Sequence, residues 1–272
     1  MLYVETFSVY PLLYLNQLQT AVGRLPQELG HRVMRSADLE ERARRAGAYV
    51  LLDKMVKKHS DDFKSAVADI VKPEFSNFIT GYRSCLDAVR YDSYGKPYFD
   101  GRENATFNLS HSQYMVACAL VTCPDGEIAP QVGVDIERVS YDLVRAERVA
   151  ERYFTDAEKL LLAPYAGNAE EYCPRFTRIW TKKEAILKYL GVGLTQISIA
   201  DSTKPEEHGC FFVETEEIHQ YTDMVDGKAK EELYYVTVCT EIGTEVTLPT
   251  PKTTENDDPD KFVMGNPREM QL

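Results

Sequence analysis

The chain has 272 residues, 44% of them hydrophobic and 27% charged, and a formal net charge of −12. That length gives one or two domains with a core large enough to need no disulfide or metal staple. The acidic balance excludes a broad nucleic-acid-binding face, and no apolar run approaches the roughly 20 residues that span a bilayer.

The elements read as follows in chain order. Tyr3 to Tyr10 alternates loosely and predicts a first strand. Ser36 or Asp38 opens a long helical pattern that runs to about Lys58, with Val50, Leu51, Met55 and Val56 on its apolar face. A short helix is expected from Asp61 to Val71, and Tyr94-Gly95-Lys96-Pro97 reads as a turn. Thr106 to Leu109 is a short strand. Tyr114 to Thr122 is a nearly continuous apolar run, as for a strand buried on both faces. After a turn at Pro124-Asp125-Gly126, Val132 to Glu137 alternates strictly, with Gly133, Asp135 and Glu137 on one face. Thr155 to Glu158 has the form of a capping box. A longer helix is expected from about Pro174 to Leu190, stopping at Gly191, and later strands at Phe211–Glu214 and Leu233–Thr240. From Leu248 the prolines and an Asn-Asp-Asp run predict a loose tail. The fold class expected is α+β, with lobes at 1–127 and 128–248 joined near Pro124–Pro130, then a tail at 249–272.

Charge is uneven along the chain. Between Arg24 and Lys58 nine basic residues face five acidic ones, an excess of +4, whereas Glu214 to Glu232 carries an excess of −5. The first stretch is the natural place for an anion-binding surface, although a solvated helix face has the same composition. The six cysteines form no CxxC pair, and Met1 to Leu15 lacks the basic and apolar regions of a secretory signal, so a reducing, cytoplasmic setting is expected.

Five segments could carry chemistry. Asp135 and Glu137 lie two apart on one strand face, where paired carboxylates repel unless a proton or cation sits between them, and hard oxygen ligands suit Mg²⁺. Trp180, Glu184 and Lys188 recur every four residues on a helix and so share a face, offering a carboxylate for a metal or a proton and a lysine for a phosphate oxygen. Ser110-His111-Ser112, just past a predicted strand, offers donors to an anion. Gly95-Lys96-Pro97-Tyr98 could present Lys96 from a turn, and Arg42, Arg44 and Arg45 crowd the basic helix. Each has an ordinary structural counterpart: a polar strand face, a surface ion pair, a hydroxyl-rich turn, a common tetrad, plain surface charge.

In this order, GKPY (Gly95–Tyr98), FNLSHS (Phe107–Ser112), GVDIE (Gly133–Glu137) and WTKKEAILK (Trp180–Lys188) resemble the signatures of the Sfp-type 4′-phosphopantetheinyl transferases. Arg44, with Ala48 and Leu51 after it, resembles the family's arginine before a long helix, and Arg152 to Glu158 its helix start between the last two motifs. The resemblance implies two α+β lobes in pseudo-twofold arrangement with the active site between them. It implies coenzyme A bound through Arg44, Lys96, Pro97, Ser110, His111, Asp135, Lys183 and Lys188, with Mg²⁺ held by Asp135, Glu137 and Glu184. The catalytic residues would be Glu184 and Lys188. The acceptor would be a serine of an acyl, peptidyl or aryl carrier protein, and the by-product adenosine 3′,5′-bisphosphate. Other readings are a non-catalytic coenzyme A-binding module, which would be expected to lack Glu184 or Lys188, and a Mg²⁺-dependent hydrolase of nucleotide diphosphates, for which no glutamate-rich helix is present.

Overall fold

The computed structural model describes residues 1–13, 17–59, 84–124, 126–214, 218–225, 228–241, 244 and 246–247. The expected helix at Asp61–Val71, the middle of the Pro124–Gly126 turn and the tail from Leu248 lie outside them.

The order is β1 (Leu2–Ser8), α1 (Gln17–Gly23), α2 (Gln27–Met34), α3 (Leu39–Lys58), β2 (Val89–Tyr91), β3 (Pro97–Phe99), β4 (Ala105–Ser112), β5 (Met115–Thr122) and β6 (Val132–Arg138). Then come α4 (Leu143–Tyr153), α5 (Asp156–Leu162), α6 (Ala169–Leu190), β7 (Cys210–Glu214), β8 (Ile218–Val225), β9 (Lys228–Glu241) and β10 (Val246–Thr247). The α+β class expected from the sequence is present, with helices against antiparallel sheets.

One sheet runs β10-β1-β5-β4 and another β6-β9-β7, with β8 paired to β9. β10 pairs parallel to β1, so Val246 and Thr247 return to the first sheet rather than extending the second. β5 is buried on both faces, as its unbroken apolar run predicts. Val116, Cys118 and Leu120 meet α3 residues such as Leu51, Leu52 and Met55. Met115, Ala117, Ala119 and Val121 pack against Val132, Val134 and Ile136 of β6. The layers are therefore α3, first sheet, second sheet and α6.

Local chemistry sets the ends of the helices. Asp38 caps α3 by accepting the Glu40 N–H at 3.0 Å, and Glu40 and Glu41 suit the positive end of the helix dipole. Thr155 and Glu158 form the expected capping box of α5. Gly191 ends α6 in the left-handed conformation, φ 72°. α6 begins at Ala169, earlier than Pro174 suggests, because Asn168 caps it through the Glu170 N–H at 3.1 Å. Pro174 then sits in the second turn, where it removes one helix hydrogen bond.

Candidate functional site

β4 is the edge of the first sheet and β6 the edge of the second. Buried edges leave backbone N–H groups that must find partners. Here they find side chains. The N–H groups of Val134, Ile136 and Arg138 donate to Asn108 Oδ1 (3.0 Å), Ser110 Oγ (3.3 Å) and Ser112 Oγ (3.1 Å). These β4 residues alternate with Phe107, in the core beneath α3, and Leu109, packed against it, so the strand turns a polar face to β6. β4 runs through Ser112, further than the short strand expected at Thr106–Leu109. Ser110 and His111 accordingly lie within the strand, and the two serine hydroxyls turn toward β6 instead of projecting from a turn toward an anion.

Gly133 fixes the other side of β6. A Cβ there would stand 2.1 Å from the Ala185 carbonyl oxygen and 2.4 Å from the Tyr189 nitrogen. Only a glycine lets α6 lie this close, and that approach sets Glu184 and Lys188 over the face that carries Asp135 and Glu137.

Asp135 is the centre of the group. Its Oδ1 accepts from Lys188 Nζ at 2.6 Å and from Ser110 Oγ at 2.8 Å, while Lys188 Nζ also donates to Ser110 Oγ at 2.8 Å. Its Oδ2 is buried and has no hydrogen-bond partner. A buried carboxylate oxygen without a donor is unusual and calls for an explanation. Glu184 is 4.0 Å from Lys188 Nζ. Burial first, then the charge of Asp135, raises Glu184 to about 8, against the opposing effects of Lys188 and of a hydrogen bond from Trp180. Burial and then Asp135 likewise raise Glu137 to about 7, although a Ser112 hydrogen bond, Lys188 and Arg138 oppose it.

The basic helix meets this group through His111. Burial pushes His111 below its ordinary value; Glu41 opposes that, while Lys188, Arg44 and Arg45 add to it. Arg44 donates to Asp38, Glu40 and Glu41 and, at 3.1 Å, to the carbonyl of Gln113, a residue with φ +48° in the β4–β5 turn. An anion reaching Arg44 would compete with those three carboxylates.

Lys96 and Pro97 lie at the end of α6. Asp92 Oδ1 gathers the N–H groups of Tyr94 and Lys96, and the Lys96 ammonium donates to the Tyr189 carbonyl and Gln131 Oε1, each at 2.9 Å. Burial lowers Lys96 to about 8, with Asp92 and Cys239 opposing. Pro97 opens β3.

Lys183 does not join the site. Its side chain is 0% exposed and pairs at 2.9 Å with Glu158, also 0% exposed, while donating to the Ala200 carbonyl. Five residues from Lys188 on a helix is about 140° of rotation, which sends Lys183 to the opposite, interior side. The structure thus sets Lys183, expected to contact the cofactor, apart from the residues grouped around Asp135.

The structure thus gathers Arg44, Ser110, His111, Asp135, Glu137, Glu184 and Lys188 in one band and sets Lys96 beside the end of the same helix. Sequence reasoning missed Asn108 and the seam role of the two serines. An Asn-x-Ser-x-Ser alternation within an apolar strand is the signal that marks them. Among the described residues no three His, Cys, Asp or Glu side chains form a finished metal cluster. The donor set still suits a hard cation, with grouped carboxylates that raise one another and one orphaned carboxylate oxygen. Among the described residues no helix is long and apolar enough to cross a membrane.

Comparison with known proteins bears on this geometry. Residues 131–239 match the model of the 4′-phosphopantetheinyl transferase superfamily. The chain is 35% identical over 105 residues to the 4′-phosphopantetheinyl transferase gsp of Aneurinibacillus migulanus, covering 39% of this chain and 38% of that protein. It is 28% identical over 146 residues to a 4′-phosphopantetheinyl transferase of Bacillus subtilis, covering 54% and 59%. With the 4′-phosphopantetheinyl transferase AcpT of Salmonella typhimurium it shares 37% over 123 residues, covering 45% and 59%. The matched segments thus span between 38% and 59% of these relatives' own lengths. The resemblance read from the motifs is borne out: the segment that holds Asp135, Glu137, Glu184 and Lys188 matches the model of the 4′-phosphopantetheinyl transferase superfamily and is similar to known transferases.

Proposed function

We propose that the protein transfers 4′-phosphopantetheine from coenzyme A to a serine hydroxyl of an acyl, peptidyl or aryl carrier protein, releasing adenosine 3′,5′-bisphosphate. The observation that carries this reading is the buried Asp135 carboxylate. One of its oxygens is saturated by Lys188 and Ser110 and the other is unpartnered, on a face shared with Glu137 and Glu184. It lies within the segment similar to known transferases. In a two-lobed reading, residues 1–127 and 128–248 form the lobes, apart from the return of β10 to the first sheet, and the site lies along the β4–β6 seam.

Asp135, Glu137 and Glu184 would hold Mg²⁺. When bound, the ion would offset the charge of the coenzyme A diphosphate; ions of this kind take one or two protein carboxylates and fill their shell with phosphate oxygens and water. Lys188, His111, Arg44 and Lys96 would bind and orient the phosphates. The carrier serine oxygen bonds to the β-phosphorus of coenzyme A, and the bond from that phosphorus to the bridging oxygen breaks. Lys188 neutralises the charge that builds on the departing oxygen. Glu184 takes the serine proton. In the free protein burial and the charge of Asp135 raise its carboxyl to about 8, and a cation held beside it would favour the ionised form that can accept a proton.

The test is intact-mass spectrometry of apo-carrier proteins incubated with this protein, coenzyme A and Mg²⁺, with an EDTA control. The expected result is a gain of one phosphopantetheine on a carrier, abolished by EDTA. Coenzyme A cleaved with no carrier modified would instead establish a hydrolase. Coenzyme A bound but left intact, across all carriers, would establish a binding module.

A further inference from the structure

Thr237 on β9 stands directly opposite Asp135 on β6. Both side chains face α6: Asp135 meets Lys188 there, and the Thr237 hydroxyl meets that of Thr181 at 3.0 Å. The two threonines are buried, 0% exposed for Thr181 and 3% for Thr237. Either hydroxyl of such a pair could donate to the other. Thr181, however, gives its proton to the Arg178 carbonyl, at 3.0 Å in the preceding turn of the helix. A hydroxyl has one proton, so the one between the two threonines comes from Thr237. Thr237 therefore has none left for Asp135.

Asp135 Oδ2 is the oxygen without a partner. Ser110 of β4 and Lys188 hold Oδ1, while β9 lies on the side of β6 away from β4. Residues opposite each other on paired strands keep their Cβ atoms about 4.5–5.5 Å apart, a gap that a threonine hydroxyl and an aspartate oxygen can span. A hydroxyl bonded to an ionised carboxylate is a strong contact, and a metal would have to displace it. The geometry points to Thr181 as a positioning residue that engages the Thr237 hydroxyl and so keeps the free oxygen of Asp135 open to a cation. Groups one layer out from metal ligands commonly change metal affinity by about 10- to 100-fold.

This inference rests on the proposed metal role of Asp135, and the experiment separates the two. Mn²⁺ serves as the probe, its free ion counted by electron paramagnetic resonance as it is titrated into the full chain, with urea unfolding measured on every variant. Thr181→Val keeps the shape and removes the acceptor. The buried Thr237 hydroxyl then turns to the carboxylate across the strand pair, and Mn²⁺ binding is expected to weaken about tenfold. Thr181→Ala serves the same test should valine disturb the helix. Thr237→Val removes the competing proton and is expected to bind Mn²⁺ as the parent does. The double variant Thr181→Val/Thr237→Val is expected to recover parent affinity although both hydroxyls are gone. A purely structural role predicts the reverse, with the double variant at least as weak as Thr181→Val. Affinity that is unchanged in Thr181→Val and Thr181→Ala, or that the double variant does not recover, overturns the inference. If Asp135→Ala also binds Mn²⁺ as the parent does, the metal reading itself has failed and the role of Thr181 falls with it.

Discussion

Lys183 and Lys188 stand five residues apart on α6, and each is paired with a carboxylate from another element. Around Lys183 both charges are held by several hydrogen bonds and shut away from water. Glu158 Oε2 accepts from Lys183 and from the Thr155 N–H at 2.8 Å, Glu158 Oε1 accepts the Ser202 N–H at 2.8 Å, and both side chains are 0% exposed. Around Lys188 the arrangement is unfinished. The lysine is 27% exposed against 4% for Asp135, one oxygen of Asp135 has no partner, and two further carboxylates nearby are raised above their ordinary range. A fully buried ion pair with both carboxylate oxygens hydrogen-bonded binds helix, cap and loop together. One with a spare acceptor and an accessible cation is prepared for something that is still to arrive.

The comparison is broken or sharpened first at Lys183. Lys183→Met leaves the Glu158 carboxylate buried without its counter-charge, so a loss of about 3–5 kcal/mol is expected in urea unfolding. Glu158→Gln in the same chain should recover part of it. Coenzyme A affinity of the folded fraction should stay within about twofold, since Lys183 touches nothing in the site. A Lys183→Met chain as stable as the parent but weak in coenzyme A binding would return Lys183 to the cofactor and dissolve the contrast.

Glu184 tests the other side. Glu184→Gln keeps the shape and removes the proton acceptor, so single-turnover transfer should fall about 10²- to 10³-fold with coenzyme A binding largely kept. Stability should move the opposite way from that at Lys183. The folded carboxyl of Glu184 titrates near 8 and the unfolded one near 4.5. Between those values the folded chain keeps a proton that the unfolded chain has lost, so the metal-free parent loses stability as pH rises through the window. Glu184→Gln should flatten that slope in urea midpoints measured from pH 5 to pH 8. An unchanged slope would mean that Glu184 ionises freely and is not held in reserve.

How much of this the sequence discloses depends on how local the cause is. The Asp38 cap, the Thr155–Glu158 box and the Gly191 stop are written within a few residues and stand where the pattern puts them. Strict alternation in β6 likewise gives the Asp135–Glu137 face. The edge-to-edge meeting of β4 and β6 is not written locally, because Asn108, Ser110 and Ser112 take partners about 26 residues away. α1 and α2 lack a clear start signal in the pattern and are set by what they pack on, Leu18, Leu29 and Val33 in the first core; α4 has a cap, Asp142, which accepts the Arg145 N–H at 3.0 Å, and it packs Ala146 and Ala150 into the cluster with Tyr172 and Ile179. Lys183 shows the limit most sharply. It stands next to Glu184 in a recognisable motif, yet the partners that remove it from the site, Glu158 and Ala200, lie in α5 and in a loop beyond the helix.

Lys96 falls between the two extremes. It is partly buried where Lys183 is wholly so, and its ammonium donates to a helix carbonyl and an amide oxygen, with no carboxylate bonded to it. Burial therefore lowers it from 10.5 to about 8. Between those values the unfolded chain carries a proton that the folded chain has released, so stability of the free protein should rise with pH across the window. Anion binding should run in the opposite sense. Protonated Lys96 attracts a phosphate and neutral Lys96 does not, so coenzyme A affinity should weaken about tenfold as pH passes through 8 and 9, in line with one charged hydrogen bond. Calorimetry in buffers of different ionisation enthalpy should find a proton taken up on binding near pH 8.5, because the bound phosphate raises the lysine again. Lys96→Met should remove the proton uptake and the alkaline loss together. If proton uptake persists in that variant, the titrating group is another one, and Lys96 belongs with Lys183 as a strut that ties the β2–β3 turn to the end of α6.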